Sequence, residues 1–152
     1  MGCGEKYSND IYRIVLDSEN PRSSTETKGL YDYDIKMTNI PTNYERYILY
    51  VDDFCVRLKG LATNSVQVKA NLINQNSYNS GTGGMNTTIV PLLLNPNDSN
   101  DEVLQYSGNQ TPYHITNLPS SISLQLVDVD NAGIDFSNAN NFWSINLRIE
   151  AE

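Results

Sequence analysis

From Trp143 to Glu150 every second residue is apolar: Trp143, Ile145, Leu147 and Ile149 alternate with Ser144, Asn146, Arg148 and Glu150. Successive side chains on a strand point to opposite faces, so this segment has one face for a core and one for water. The same period recurs in Ile122, Leu124 and Leu126, in Val66, Val68, Ala70 and Leu72, and in Tyr31, Tyr33, Ile35 and Met37, each set interleaved with polar residues. No capped 3.6-residue pattern longer than two turns stands between them. A chain built this way buries its apolar groups by stacking one sheet on another.

The segment Tyr47 to Leu58 adds a phase change. Tyr47, Leu49 and Val51 alternate, then Phe54, Val56 and Leu58 do, with the slip at Asp52-Asp53. One extra residue there predicts a β-bulge, which bends a strand round a corner of a sandwich. Ile11 to Leu16 and Thr87 to Leu94 read as further strands, and Pro91 places the latter at an edge or a bulge. Weaker strands are predicted at Val103 to Tyr106 and Tyr113 to Thr116. Turn clusters separate them: Asp17 to Pro21 with a polar stretch to Lys28, Asn74 to Asn86, Asn95 to Asp101, and Asp128 to Gly133. The strand at Ile122 and the strand at Trp143 are expected to pair or to face each other across the core. The expected fold is all-β: an antiparallel β-sandwich, a single eight-stranded jelly roll over residues 11–152, preceded by a flexible N-terminal arm at residues 1–10. A length of 152 residues fits one such domain.

Composition narrows the partners. There are 18 acidic residues against 10 basic ones, a net charge of −8, the wrong sign for binding a phosphate backbone, so no nucleic acid is expected. Asn, Ser and Thr are abundant, which suits a turn-rich β protein. The densest apolar run, Ile89 to Leu94, is broken by Pro91 and is too short to span a membrane. The start, MGCGEKYSND, lacks the apolar stretch of a secretory signal, which reads as a cytosolic or a trimmed chain. Cys3 and Cys55 read as reduced thiols rather than a disulfide framework.

No catalytic, cofactor or metal site is expected. His114 is the only histidine and no Gly-x-Ser-x-Gly elbow accompanies it, so it reads as a strand-end residue and a hydrolase ranks last. Asp128-x-Asp130-x-x-Gly133 begins like a calcium loop, but Ala132 and Ala139 stand where oxygen ligands belong, which leaves a turn. Asp52 and Asp53, as neighbours on a strand, are expected to point to opposite faces and so not to share one acid–base site. Gly2 and Cys3 are candidate lipidation positions, although Lys6 departs from the acylation pattern; a membrane contact through the arm rests on these two alone. Sequons at Asn86, Asn97 and Asn109 match the number expected by chance from so many Asn, Ser and Thr. Trp143 and the ten tyrosines offer a second class of function, a carbohydrate-binding β-sandwich such as a lectin or fibre module. That reading requires them on a wet face, whereas the phase of Trp143 with Ile145 and Leu147 puts it in the core.

The opening Tyr12-Arg-Ile-Val-Leu-Asp-Ser-Glu-Asn-Pro21 and the closing Ile122-Ser-Leu-Gln-Leu-Val-Asp, Gly133 and Trp143-Ser-Ile-Asn-Leu-Arg-Ile149 carry a family likeness. They resemble small single jelly-roll capsid proteins, minor capsid or penton, of large icosahedral double-stranded DNA viruses of algae and protists. The resemblance implies a non-enzymatic virion structural protein, made in the host cytoplasm and placed at the vertices as penton or beneath the capsomers as cement. The chain is too short for the double jelly roll of a major capsid protein. The implied partners are the major capsid protein and other minor capsid proteins, in a homo- or hetero-oligomer. Subunit contacts are expected in the arm and in the loops around 17–29, 74–86 and 130–141, through Tyr7, Asn20, Pro21, Asn79, Asn131 and Asn140. Uncharged contacts of this kind let acidic subunits associate.

Overall fold

The computed structural model describes residues 11–35, 46–58, 65–71, 78–79, 84–85, 87–94, 103–108, 111–115, 120–138 and 140–151. In chain order the strands are β1 (Ile11–Asp17), β2 (Ser23–Thr25), β3 (Leu30–Asp34), β4 (Tyr47–Arg57), β5 (Ser65–Ala70), β6 (Tyr78–Asn79), β7 (Gly84–Met85), β8 (Thr88–Leu94), β9 (Val103–Ser107), β10 (Tyr113–Ile115), β11 (Ser121–Val127) and β12 (Phe142–Ala151). One sheet runs β1-β12-β4, with β9 and β10 both on the far side of β4, and the other runs β2-β3-β11-β5-β8. All of these pairings are antiparallel.

The chain doubles back on itself like one long hairpin. Ile11 pairs with Glu150, Tyr31 with Leu124, Phe54 with Tyr106 and Val66 with Leu93, so the partners are arranged around about residue 80. The small hairpin pairing Tyr78 with Met85 sits near that centre. Rolled up, the doubled ribbon gives two sheets of four main strands, β1-β12-β4 with β9 and β10 as one interrupted strand, and β3-β11-β5-β8, to which the short β2 adds an edge. That is the eight-stranded jelly roll. β11 and β12 lie in opposite sheets and face each other across the core rather than pairing.

Alternation sets the core as expected. Tyr31, Tyr33, Leu49, Val51, Val66, Val68, Ile122, Leu124, Leu126 and, on β12, Trp143, Ile145, Leu147 and Ile149 are all buried between the sheets. Trp143 has no exposed surface and is ringed by aromatic neighbours, Tyr31 at 5.0 Å, Tyr33 at 6.2 Å and Phe54 at 6.5 Å between ring centres. The first two meet it edge-on, the favoured arrangement for ring quadrupoles.

The predicted bulge is present. Asn146 pairs with Asp53 and Leu147 with Val51, which leaves Asp52 as the extra residue of β4. Opposite it the neighbouring strand breaks between β9 and β10, where Gly108 donates to the Asp52 carbonyl at 3.3 Å. Pro91 lies on the edge strand β8, inside the register shift between Leu93 and Val90, so it satisfies both of its expected settings. Three elements escaped the sequence reading: β2 and a 3-10 turn at Glu26–Lys28 inside the polar loop after β1, and the β6–β7 hairpin.

Candidate functional site

Two long connections meet at one end of the sandwich. The first leaves β1 through a turn built on Asp17, whose Oδ1 accepts from the backbone N–H groups of Glu19 at 2.9 Å and Asn20 at 3.0 Å. Tyr33 anchors the same residue from the core side, its hydroxyl donating to the Asp17 carbonyl at 2.5 Å. Burial pushes the Tyr33 phenol far above its ordinary value, with Tyr31 and Asp17 adding to the effect.

The second connection, from Asp128 to Asn141, starts with the turn that the sequence read in place of a calcium loop. Asp128 Oδ1 accepts from the N–H groups of Asp130 at 2.9 Å and Ala132 at 3.0 Å, so the carboxylate is spent on its own backbone. Asn131 takes the left-handed conformation with φ of 64°. The turn lies on the outer face of the β5–β11 pair: Lys69 Nζ donates to Asn131 Oδ1, Gln67 Nε2 to the Asp128 carbonyl at 3.4 Å, and Val129 N–H to Ser65 Oγ at 3.2 Å. Gly133 is required for a different reason from the one its place in a turn suggests. A side chain there would sit 2.1 Å from the Lys28 carbonyl oxygen, so only glycine permits the two connections to touch.

Beyond Gly133 the connections are stitched together. Phe136 N–H donates to Glu26 O at 2.9 Å, and Ser18 exchanges bonds with Trp143, its N–H to the Trp143 carbonyl at 3.0 Å and its Oγ accepting at 3.2 Å. Ile134 and Phe136 plug the end of the core. Between the connections lies a polar depression of about 560 Å³ lined by Ser18, Glu19, Pro21, Glu26, Asn138 and Asn141. Asn20, Asn131 and Asn140 are exposed around this end and Pro21 is half-buried. Asn79 is apart from them, on a hairpin joining the opposite ends of β5 and β8, where its backbone pairs with Gly84. Gly2, Cys3, Tyr7 and the sequon asparagines Asn86, Asn97 and Asn109 lie outside the described residues.

The outer face of the other sheet corrects one expectation. Asp52 and Asp53 share it, because the bulge inserts both between the buried Val51 and Phe54 and cancels the alternation. Each is tied to β12: Asp52 Oδ1 accepts from Arg148 Nε at 3.1 Å and Asp53 Oδ1 from Asn146 Nδ2 at 2.6 Å. Arg13 approaches Asp52 Oδ2 at 3.3 Å, and Arg148 also bonds Glu150 while its guanidinium stacks 4.3 Å from the Tyr50 ring centre. Burial works against the Arg148 charge, but these carboxylates hold its pKa above the ordinary value. The cluster braces the bulge.

The remaining candidates are dispersed. His114 is exposed on β10 opposite Ile48. Cys55 is a free, half-buried thiol whose pKa is raised by burial and by Asp53. Trp143 is sealed in the core and offers no ring to a sugar. Among the described residues no group of three or more His, Cys, Asp or Glu is placed to hold a metal ion, and no helix is long and apolar enough to cross a membrane. The docking of the Asp128 turn on Ser65, Gln67 and Lys69 was not legible in advance: alternation points Gln67 and Lys69 outward but does not say what covers them.

No family model matches this chain, and none of the curated proteins matches it. Among solved structures it is similar to the penton protein of mavirus, at 7% identity and a TM-score of 0.65, with 93% of this chain and 99% of that chain covered. An aminopeptidase from the marine sediment archaeon Thaumarchaeota archaeon aligns at 11% identity and a TM-score of 0.23 over 81% of this chain and 26% of that one, too weakly to carry an argument. At such low identity the mavirus likeness is one of fold, shared over 93% of this chain.

Proposed function

We propose that the protein is a non-enzymatic structural subunit of a viral capsid, made in the host cytoplasm and built into the particle as a minor component. The observation that carries this reading is the match in extent: one jelly roll accounts for nearly the whole of this chain and of the mavirus penton protein alike. That likeness favours a vertex position over a cement position beneath the capsomers. Its partners are then further copies of itself and the major capsid protein.

The end of the sandwich carrying Asn20, Pro21, Asn131 and Asn140 supplies a contact surface in this reading. Its two connections are locked to each other and to the core, so they are presented in a fixed shape before any partner arrives, which lowers the entropy lost on assembly. The exposed groups there are mainly amides and hydroxyls, which suits contact between subunits of net charge −8. The test is assembly: the purified chain, alone and co-expressed with the major capsid protein of the same genome, is weighed by mass photometry. A ring of copies, or incorporation into particles, supports the proposal. A chain that stays monomeric and never enters particles refutes it.

A further inference from the structure

The two large sheets have four edges, and three of them are blunted. β2 is three residues long, β8 carries Pro91 and two register shifts, and β9 is cut off from β10 at Gly108. Each device interrupts a row of free backbone donors and acceptors, the usual protection against pairing with another chain. β1 has none of them. It runs seven residues from Ile11 to Asp17 in unbroken register with β12, without proline or glycine. Among the described residues no strand pairs with its other edge.

That edge has a definite chemistry. Ser18 N–H donates to the Trp143 carbonyl, so the even-numbered residues of β1 turn their backbone groups toward β12 and the odd-numbered ones turn theirs outward. The Tyr33 hydroxyl reaching the Asp17 carbonyl agrees with this. Ile11, Arg13 and Val15 therefore turn outward N–H and C=O groups that no other described strand uses, and Val15 is 67% exposed. A groove of about 420 Å³, lined among others by Ile14, Leu16, Pro21, Tyr33 and Ile35, opens beside the edge.

We propose that β1 is a docking edge for the β1 of a second copy, the two strands joining antiparallel about a two-fold axis at Val15 so that the sheet continues across the seam. This register opposes Val15 to its own copy and sets Arg13 opposite Asp17 of the partner subunit, twice by symmetry. Moving the axis to Arg13 opposes two arginines; moving it to Ile14 sets Ile11 against Asp17. The self-complementarity selects a second copy over a foreign strand. The seam is narrow beside a standard interface of about 1,600 Å², so the pair is weak in dilute solution and forms at high local concentration. The inference rests on the sheet edges and not on the capsid reading, so either can fail alone.

The test uses the full chain with Cys3→Ser and Cys55→Ser and a single new cysteine, oxidised mildly at rising concentration. Val15→Cys is expected to give a disulfide-linked dimer, because the two positions oppose each other. Arg13→Cys is expected to give none, because its copies stand roughly 13 Å apart along the strands. Linking at both positions alike, at neither, or at Val15→Cys only to a different capsid protein overturns the proposal. Val15→Pro removes an outward N–H that β12 does not use, so it should keep the fold and weaken self-association at least ~10-fold. A dimer unaffected by a folded Val15→Pro variant also overturns it; if that variant does not fold, the cysteine pair decides.

Discussion

Gly108 lies so close to Val51 that a side chain on it would sit 1.7 Å from the Val51 carbonyl oxygen. The contact falls where β4 carries its extra residue and where β9 gives way to β10, so the two irregularities are one feature. The strand beside the bulge must leave the ladder, and only a residue without Cβ can follow the displaced backbone. Gly108→Ala is expected to lower stability by about 2–4 kcal/mol in urea unfolding, since the clash is with backbone and cannot be relieved by a rotamer change.

Asp52 and Asp53 should respond differently to substitution. Asp52→Ala removes the main partner of Arg148, whose side chain is only 16% exposed, and is expected to cost about 1–2 kcal/mol. Asp53→Ala loses one exposed bond to Asn146 and should stay within about 0.5 kcal/mol of wild type. Deleting Asp52 outright removes the extra residue and leaves Val51, Asp53 and Phe54 in strict alternation, so the variant should still unfold cooperatively, at a cost of about 1–3 kcal/mol for the lost Arg148 partner.

Trp143 is expected to emit at short wavelength and to resist quenching by acrylamide and by added sugars, as a ring buried among Tyr31, Tyr33 and Phe54 should. Trp143→Ala should cost about 3–5 kcal/mol through the cavity it leaves. Long-wavelength, sugar-sensitive emission from the folded protein would contradict this placement.

These contrasts mark how far the sequence could be read. The bulge was legible because a slip of one residue changes which positions are apolar on either side of Asp52-Asp53. The edge or bulge setting of β8 was legible because proline cannot donate to a ladder. The alternation rule then failed at the bulge itself, where it sent Asp52 and Asp53 to opposite faces although the irregularity it had located brings them to one. β2 escaped because Ser23, Ser24 and Thr25 are all exposed and leave no apolar period. Which strands pair was out of reach, since alternation fixes a face but not a neighbour. At the site, the Asp128 turn was readable from its local chemistry. Its seat on Gln67 and Lys69, and the role of Gly133 against Lys28, depend on segments remote in sequence.

Tyr33 gives a pH prediction. Its folded pKa is raised above the ordinary 10.0 by burial first, so the stability gained from the neutral phenol is complete below about pH 10 and is lost as pH rises beyond it. Tyr33→Phe should cost about 1 kcal/mol near neutrality by removing the bond to the Asp17 carbonyl. Above pH 10 the gap between variant and wild type should narrow, because phenylalanine has no proton to lose. A gap that stays constant in denaturant titrations from pH 7 to 11 would contradict the assignment.

The most direct measurement of the capsid role is quantitative mass spectrometry of purified virions, or of virus-like particles assembled from the capsid proteins of the same genome. A minor capsid subunit should be recovered at a fixed ratio well below that of the major capsid protein, and should stay with the particles through density-gradient purification and salt washes. Absence from particles that are otherwise complete, with the chain found only as free protein, would contradict the account.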